Sequence, residues 1–205
     1  MSATRQIAMP EGAAVETGRG AATRAAILDR GIDLASAEGL EALSIGRLAR
    51  EMEMSKSGVF AHFGSKQDLQ LAIVDAAARR FRAAVVDPAI DAPDGAARIR
   101  AMAAAYIAHI DAGAYSGGCF WAATSAEYDD RPGPVRDAIA GALDAWLGEL
   151  ERQARIAGVA EPERLAFELY ALVMGANSRF RLTGDRRVFG YARDAVESLL
   201  AELPQ

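Results

Sequence analysis

Between residues 22 and 38 the apolar positions Leu28, Gly31, Ile32 and Ala35 follow the i, i+3, i+4, i+7 spacing of one helix face. Gly39 stops that helix. Ser44 has the chemistry to cap a short second helix carrying Ile45, Leu48, Ala49 and Met52 on one face. Ser55 does the same for a third, with Val59 and either Phe60 or Phe63 turned inward. Ser65-Lys66-Gln67-Asp68 is a capping-box pattern that opens a fourth helix over 66–86. Pro88 and Pro93 bracket a break. The pattern predicts further helices over 94–112, 119–128, 133–157, 162–183 and 187–202, punctuated by Gly113, Gly118, Pro132, Pro134, Gly158, Pro162 and Gly184. Period-two alternation is absent, so the expectation is an all-α chain of about nine helices. Residues 1–20 lack periodicity and read as a mobile tail.

Composition narrows the chemistry. Alanine-rich runs favour helix, and 51% hydrophobic residues suffice for a sizeable core. Cys119 is the single cysteine, which excludes an internal disulfide framework. His62 and His109 lie far apart, so no zinc ligand set has a familiar spacing. No metal and no cofactor are expected. Residues 1–20 hold Arg5, Glu11, Glu16 and Arg19 and no apolar core of a leader, and the longest uncharged stretch is broken by glycines. A cytoplasmic protein is therefore expected. The net charge of −5 is unevenly spread: residues 1–82 carry eleven Lys/Arg against ten Asp/Glu, a net of +1, leaving −6 for the remainder. A near-neutral N-terminal part can still present a basic face.

The helices at Ser44–Met52 and Ser55–Phe63 are too short to stand alone and need the first helix beneath them. Three helices in that arrangement form a helix-turn-helix, whose second helix must enter a major groove about 12 Å wide. Its tip, Ser55, Lys56, Ser57 and Gly58, is small or basic throughout. Lys56 has the reach for a guanine edge or a phosphate. Lys66 opens the fourth helix, where its ammonium and free N–H groups together suit a phosphate. Arg47 is placed to touch backbone, and Ser44 lies beside it. Arg24, near the start of the first helix, is a phosphate candidate. Arg5, Arg19 and Arg24 together suggest a minor-groove arm, set against a plain disordered tail for Arg5.

Ser55 through Phe63 followed by Gly64-Ser65-Lys66-Gln67-Asp68-Leu69, with the helix from Thr23 to Gly39 and the pairs Ser44-Ile45 and Leu48-Ala49, resembles the signature of the TetR (tetracycline-repressor-type) family. The resemblance is specific over about 20–75. It implies a tail at 1–20, a DNA-binding domain over 21–68 with its helix-turn-helix at 44–63, and a regulatory domain over 69–205 that holds a ligand cavity and dimerises through its last two helices. It implies a repressor released from a palindromic or near-palindromic double-stranded operator by an unknown small-molecule effector. The family places a phosphate-contacting histidine or tyrosine at His62. It usually places tyrosine at Phe60, which here lacks the hydroxyl.

Under that reading Met102, Tyr106, His109, Phe120, Trp121, Phe167, Tyr170 and Met174 are candidates for the cavity wall, though such residues at helical spacing also make ordinary core. Tyr106 and His109, three apart on one face with polar tips, lead that set. Leu165, Leu169, Leu172, Val173, Val188, Tyr191, Ala195 and Leu199 are candidates for a two-fold dimer interface. Cys119, without a basic neighbour in sequence, reads as a buried inert thiol rather than a redox switch. Two other classes compete. An enzyme fails on inventory, since no nucleophile–base pair or phosphate-cradling glycine loop is found. A dimeric helical interaction protein that has lost DNA binding rests on Phe60 alone.

Overall fold

A computed structural model describes residues 18–201. Its α-helices are α1 (Gly18–Glu38), α2 (Ile45–Glu51), α3 (Lys56–Phe63), α4 (Lys66–Phe81), α5 (Ala96–Asp111), α6 (Phe120–Tyr128), α7 (Pro134–Ile156), α8 (Pro162–Thr183) and α9 (Arg187–Ala201). No strand occurs among the described residues. Arg5 lies outside them.

The first three helices assemble as the periodicity predicts. Leu28, Gly31, Ile32 and Ala35 are all buried on one face of α1. They pack with Leu40, Leu43, Leu48, Val59, Leu69 and Ile73, each of them fully inaccessible. Gly31 lets α4 approach closely, because a Cβ there would sit 2.8 Å from Ile73 Cδ1. The choice left open in α3 is resolved: Phe63 turns inward and Phe60 outward, with 52% of its surface exposed.

The fourth helix runs to residue 86 as expected but changes character on the way. Regular α geometry ends at Phe81, and Arg82–Val86 form a π-helical turn followed by a 3-10 turn at Asp87–Ala89. Pro88 has no N–H to continue an α-helical ladder, and single π turns, rare in helices generally, recur at functional sites. Residues of the π turn line a cavity described below.

The C-terminal helices are fastened to the first three by backbone-directed contacts. The α5–α6 connection lies against α1: Ser116 N–H donates to Asp33 Oδ1 (2.8 Å) and Gly117 N–H to Ser36 Oγ (3.0 Å). At the far end of α6, the Glu127 carboxylate accepts from Leu40 N–H (2.6 Å) and Glu41 N–H (3.1 Å) in the α1–α2 turn. Gly39, at φ 91°, leaves room for that carboxylate, since a Cβ would fall 2.6 Å from Glu127 Oε1. The helical core of α5 to α9 is built on Ile99, Met102, Tyr106, Phe120, Leu150, Leu169 and Phe189. Among the described residues no helix is long and apolar enough to cross a membrane.

Candidate nucleic-acid interface and regulatory cavity

Three helices of the N-terminal unit, α2, α3 and α4, each start at a serine cap. Ser44 Oγ accepts from Arg47 N–H (3.1 Å), Ser55 Oγ from Gly58 N–H (3.0 Å) and Ser65 Oγ from Asp68 N–H (3.0 Å). A capping hydroxyl spends a lone pair on the helix, so its proton remains available to a further acceptor. In Ser65 that proton goes to Asp68 Oδ2 (2.6 Å), while the Ser65 N–H donates to Phe63 O (2.9 Å), so the reciprocal backbone bond of the expected capping box is replaced by a side-chain one. Ser55 and Ser57 hydroxyls lie 3.2 Å apart. Ser44, Ser55, Lys56 and Ser57 are exposed, and Gly58 is half-buried under Ser55. The tip of α3 is therefore accessible, hydrophilic and narrow, while Val59 and Phe63 anchor its other side.

The cationic candidates divide. Lys56 is exposed at the tip of α3. Arg24 stacks its guanidinium 5.2 Å from the Phe63 ring centroid, which holds it beside the C-terminal end of α3. His62 is half-buried, with its ring tilted on Phe63. Arg47 differs from its expected reach outward: its guanidinium donates to Glu51 Oε2 (2.6 Å) and Glu38 Oε1 (2.9 Å), clamping α2 to α1. Glu51 also accepts from Arg30 Nε (2.9 Å), and these guanidinium groups, Arg47 first, hold its carboxyl below the usual range. Lys66 is shared between solvent and Glu41 Oε1 (2.5 Å). Glu41 in turn accepts from Tyr128 Oη (3.0 Å) and Gln70 Nε2 (3.2 Å), and Gln70 donates to Leu40 O (3.0 Å). The bond from Lys66, then that from Gln70, keeps the Glu41 carboxyl low. Burial, then the Glu41 carboxylate, pushes the Tyr128 phenol up. The base of α4 is thus tied to the end of α6 through one carboxylate, a link that sequence reading missed because its members are up to 87 residues apart.

A second site lies between α4, its π turn, α5, α6 and α7. It is a cavity of about 430 Å³, within the range of small-molecule pockets. Its floor is aromatic: Phe81 meets Trp146 and Tyr106 edge-on, with centroids 5.1 and 4.8 Å apart. Of the eight expected wall residues, Trp121 lines the cavity, while Tyr106 borders a separate void of about 10 Å³ that shares Phe81, Trp121 and Trp146 with it. Met102 and Phe120 are core; Tyr170 and Met174 pack against the core from partial exposure. His109 faces Tyr115 instead, with ring centroids 5.6 Å apart. Phe167 points away altogether, 65% exposed on the outer face of α8. Phe81, Trp146 and the arginines around them were missed. The signal available was the α7 spacing Ala142, Ala145, Trp146, Glu149, Arg152, a single stripe of one helix. Cys119 is buried, its Sγ 3.3 Å from Tyr106 Oη, and burial pushes its thiol up, the reverse of what a reactive thiolate needs.

A third feature is an apolar groove of about 860 Å³ along α8 and α9. Leu172, Val188, Tyr191, Ala195 and Leu199 line it, together with Phe167, Ala171 and Gly175. Leu165, Leu169 and Val173 do not reach it. They are buried against the protomer's own core.

Comparison with known proteins agrees with this geometry. The family model for bacterial regulatory proteins of the tetR family matches residues 27–73, and that for the tetracyclin repressor-like C-terminal domain matches 95–196. A TetR-family transcriptional regulator from Streptomyces coelicolor is 25% identical, with a TM-score of 0.76 over 89% of this chain and 97% of that one. A TetR regulator from Chloroflexus aurantiacus superposes with a TM-score of 0.83 at 20% identity, covering 91% of this chain and 98% of that one. AibR, solved with isovaleryl coenzyme A and operator DNA, is 22% identical with a TM-score of 0.71, covering 86% and 98%. Among curated proteins none matches significantly. With both halves of the family pattern accounted for, the chain belongs to the TetR family of DNA-binding transcriptional regulators.

Proposed function

We propose that this regulator works as a cytoplasmic homodimer that holds a palindromic operator and lets go when a small molecule fills the α4–α7 cavity. It acts by binding, not by turnover. The reading unit is residues 21–68 and the effector unit 69–205, with α4 as the beam between them. The observation that carries this is the α3 tip, where Ser55, Lys56 and Ser57 stand exposed while Val59 and Phe63 are packed away. A short helix held so can enter a major groove end-first. Around it, the α2 and α4 starts offer N–H groups to phosphates, with Lys66 and Arg24 flanking. Arg47 contributes by holding α2 in place.

The α8–α9 groove suits a two-fold four-helix interface. Phe167 and Tyr191 are largely exposed in the protomer, and the small Ala171, Gly175 and Ala195 allow a second copy to approach closely. AibR, solved with isovaleryl coenzyme A and operator DNA, supports a small molecule and an operator as the two ligands; release by the effector, with repression as its sign, is the working mode proposed. Release requires only that the effector bind the non-operator state better.

The test is selection of a random duplex library by the purified protein near physiological salt, where non-specific binding is weak. A two-fold symmetric motif with half-sites about one helical turn apart is the expected result. Enrichment without sequence preference, or none, overturns the reading in favour of an interaction protein that has lost DNA binding.

A further inference from the structure

We infer that the effector cavity is built for an organic anion: a carboxylate head on an apolar body. The inference rests on the regulator reading above and deepens it. The floor decides the body. Phe81, Trp121 and Trp146 present ring faces and edges, and Val86 and Ile90 extend the apolar wall toward the mouth. The rim decides the head. Four guanidinium groups, those of Arg79, Arg82, Arg98 and Arg152, line the cavity against one carboxylate, that of Glu149.

Each of these arginines already has a carboxylate partner: Asp75, Asp87, Asp94 and Glu149 respectively. Of those partners only Glu149 faces the cavity. The pairs of Arg79 and Arg82 are solvent-exposed, where an ion pair contributes little and is readily exchanged for another carboxylate, whereas Arg152 is held by both oxygens of the half-buried Glu149 (2.7 and 2.9 Å). Arg98 is different. It is mostly covered, donates to Ile90 O (2.8 Å) and Ala92 O (2.7 Å) and has its charge met by Asp94 (2.5 Å), so it shapes the wall. An aromatic box alone would also suit a cation. The four guanidinium groups at the lining, against one carboxylate there, favour an anion instead.

Trp146 adds to the body and not to the head. Its indole is more than nine-tenths buried in the cavity wall, and its Nε1–H, without an acceptor in the protein, is closed off from the cavity. The cavity therefore meets the indole ring, and the guanidinium groups alone carry the preference for an anion.

The test uses the chain's own reporters, because both tryptophans, Trp121 and Trp146, line this cavity. Intrinsic fluorescence of the full-length protein is titrated with straight-chain carboxylates from butanoate to dodecanoate and ω-phenyl carboxylates of matching length. The methyl ester and the amine of each are titrated alongside. The ester keeps the acceptor and loses the charge; the amine inverts the charge. The expected result is saturable binding in which the acid exceeds its ester by about tenfold and the amine is weakest. Arg79→Gln and Arg82→Gln should each narrow the acid-to-ester ratio while both tryptophans still report. Amine or ester binding as tightly as the acid overturns the inference, as does absence of acid binding at millimolar concentration. Operator binding is measured separately without probes. Its failure would sink the regulator reading, whereas an operator-binding protein whose cavity prefers the amine sinks this inference alone.

Discussion

Replacing Gly117 with alanine probes the joint between the regulatory helices and α1. A Cβ at this position would lie 1.9 Å from Ser36 O and 2.3 Å from Ala37 N. Both are backbone atoms of α1, so no side chain can swing aside. Restoring ordinary contact means moving the α5–α6 connection outward by roughly 1.5 Å. That displacement carries the bonds from Ser116 N–H to Asp33 (2.8 Å) and from Gly117 N–H to Ser36 (3.0 Å) beyond hydrogen-bond reach. The first, to a charged acceptor, contributes roughly 1.5–3 kcal/mol and the second roughly 0.5–1.5 kcal/mol. The expected loss is about 2–4 kcal/mol. For a chain of this size that corresponds to a fall in Tm of roughly 5–15 °C. Gly141→Ala is the matched control. It is exposed inside α7 with nothing within 4 Å of the new Cβ, and helix propensity should raise stability by about 0.8–1 kcal/mol. The assay is thermal unfolding by circular dichroism at fixed protein concentration, since dimerisation couples Tm to concentration. Opposite signs for the two Gly→Ala changes are expected. A Gly117→Ala protein that melts with wild type would refute the docking of this connection on α1.

Other outcomes follow from the same geometry. Lys66→Ala should weaken binding about equally for all DNA sequences and lower the salt slope by roughly one unit, whereas Lys56→Ala should also relax specificity; fluorescence anisotropy against salt separates them. Phe60→Tyr adds a hydroxyl at an exposed site without desolvation cost, and should tighten operator binding several-fold with unchanged Tm. Glu41 is held below its ordinary value, so the stability it confers is present above about pH 4.5 and is lost as pH falls through the lowered value. The Tm gap between wild type and Glu41→Gln should therefore be constant above about pH 5.5 and close in more acidic buffer. Tyr191→Glu places a charge in the apolar α8–α9 groove and should shift the protein to monomer in sedimentation velocity, with operator affinity falling in parallel.

Much of this molecule is determined locally. Helix starts at Ser44, Ser55 and Ser65 follow from hydroxyl caps that satisfy their own helix's N–H groups. The buried stripe of α1 follows from 3.6-residue periodicity. The exposed tip of α3 needs only a short amphipathic helix with small polar residues at its start. These features involve residues within a few positions of one another, so a linear pattern records them. Tertiary packing decided the rest. Periodicity identifies an apolar stripe but not which neighbour covers it. In α8 the strongest stripe, Leu165, Leu169 and Val173, packs inside the protomer, while Phe167, Ala171 and Gly175 face the groove. The guanidinium of Arg47 is directed by Glu38 and Glu51, and Lys66 is tethered by a loop carboxylate 25 residues away. The cavity draws on side chains from Ala78 to Arg152. Its charge and its aromatic floor exist only because the π turn after Phe81 and one face of α7 are brought together, a juxtaposition no single stretch of sequence encodes.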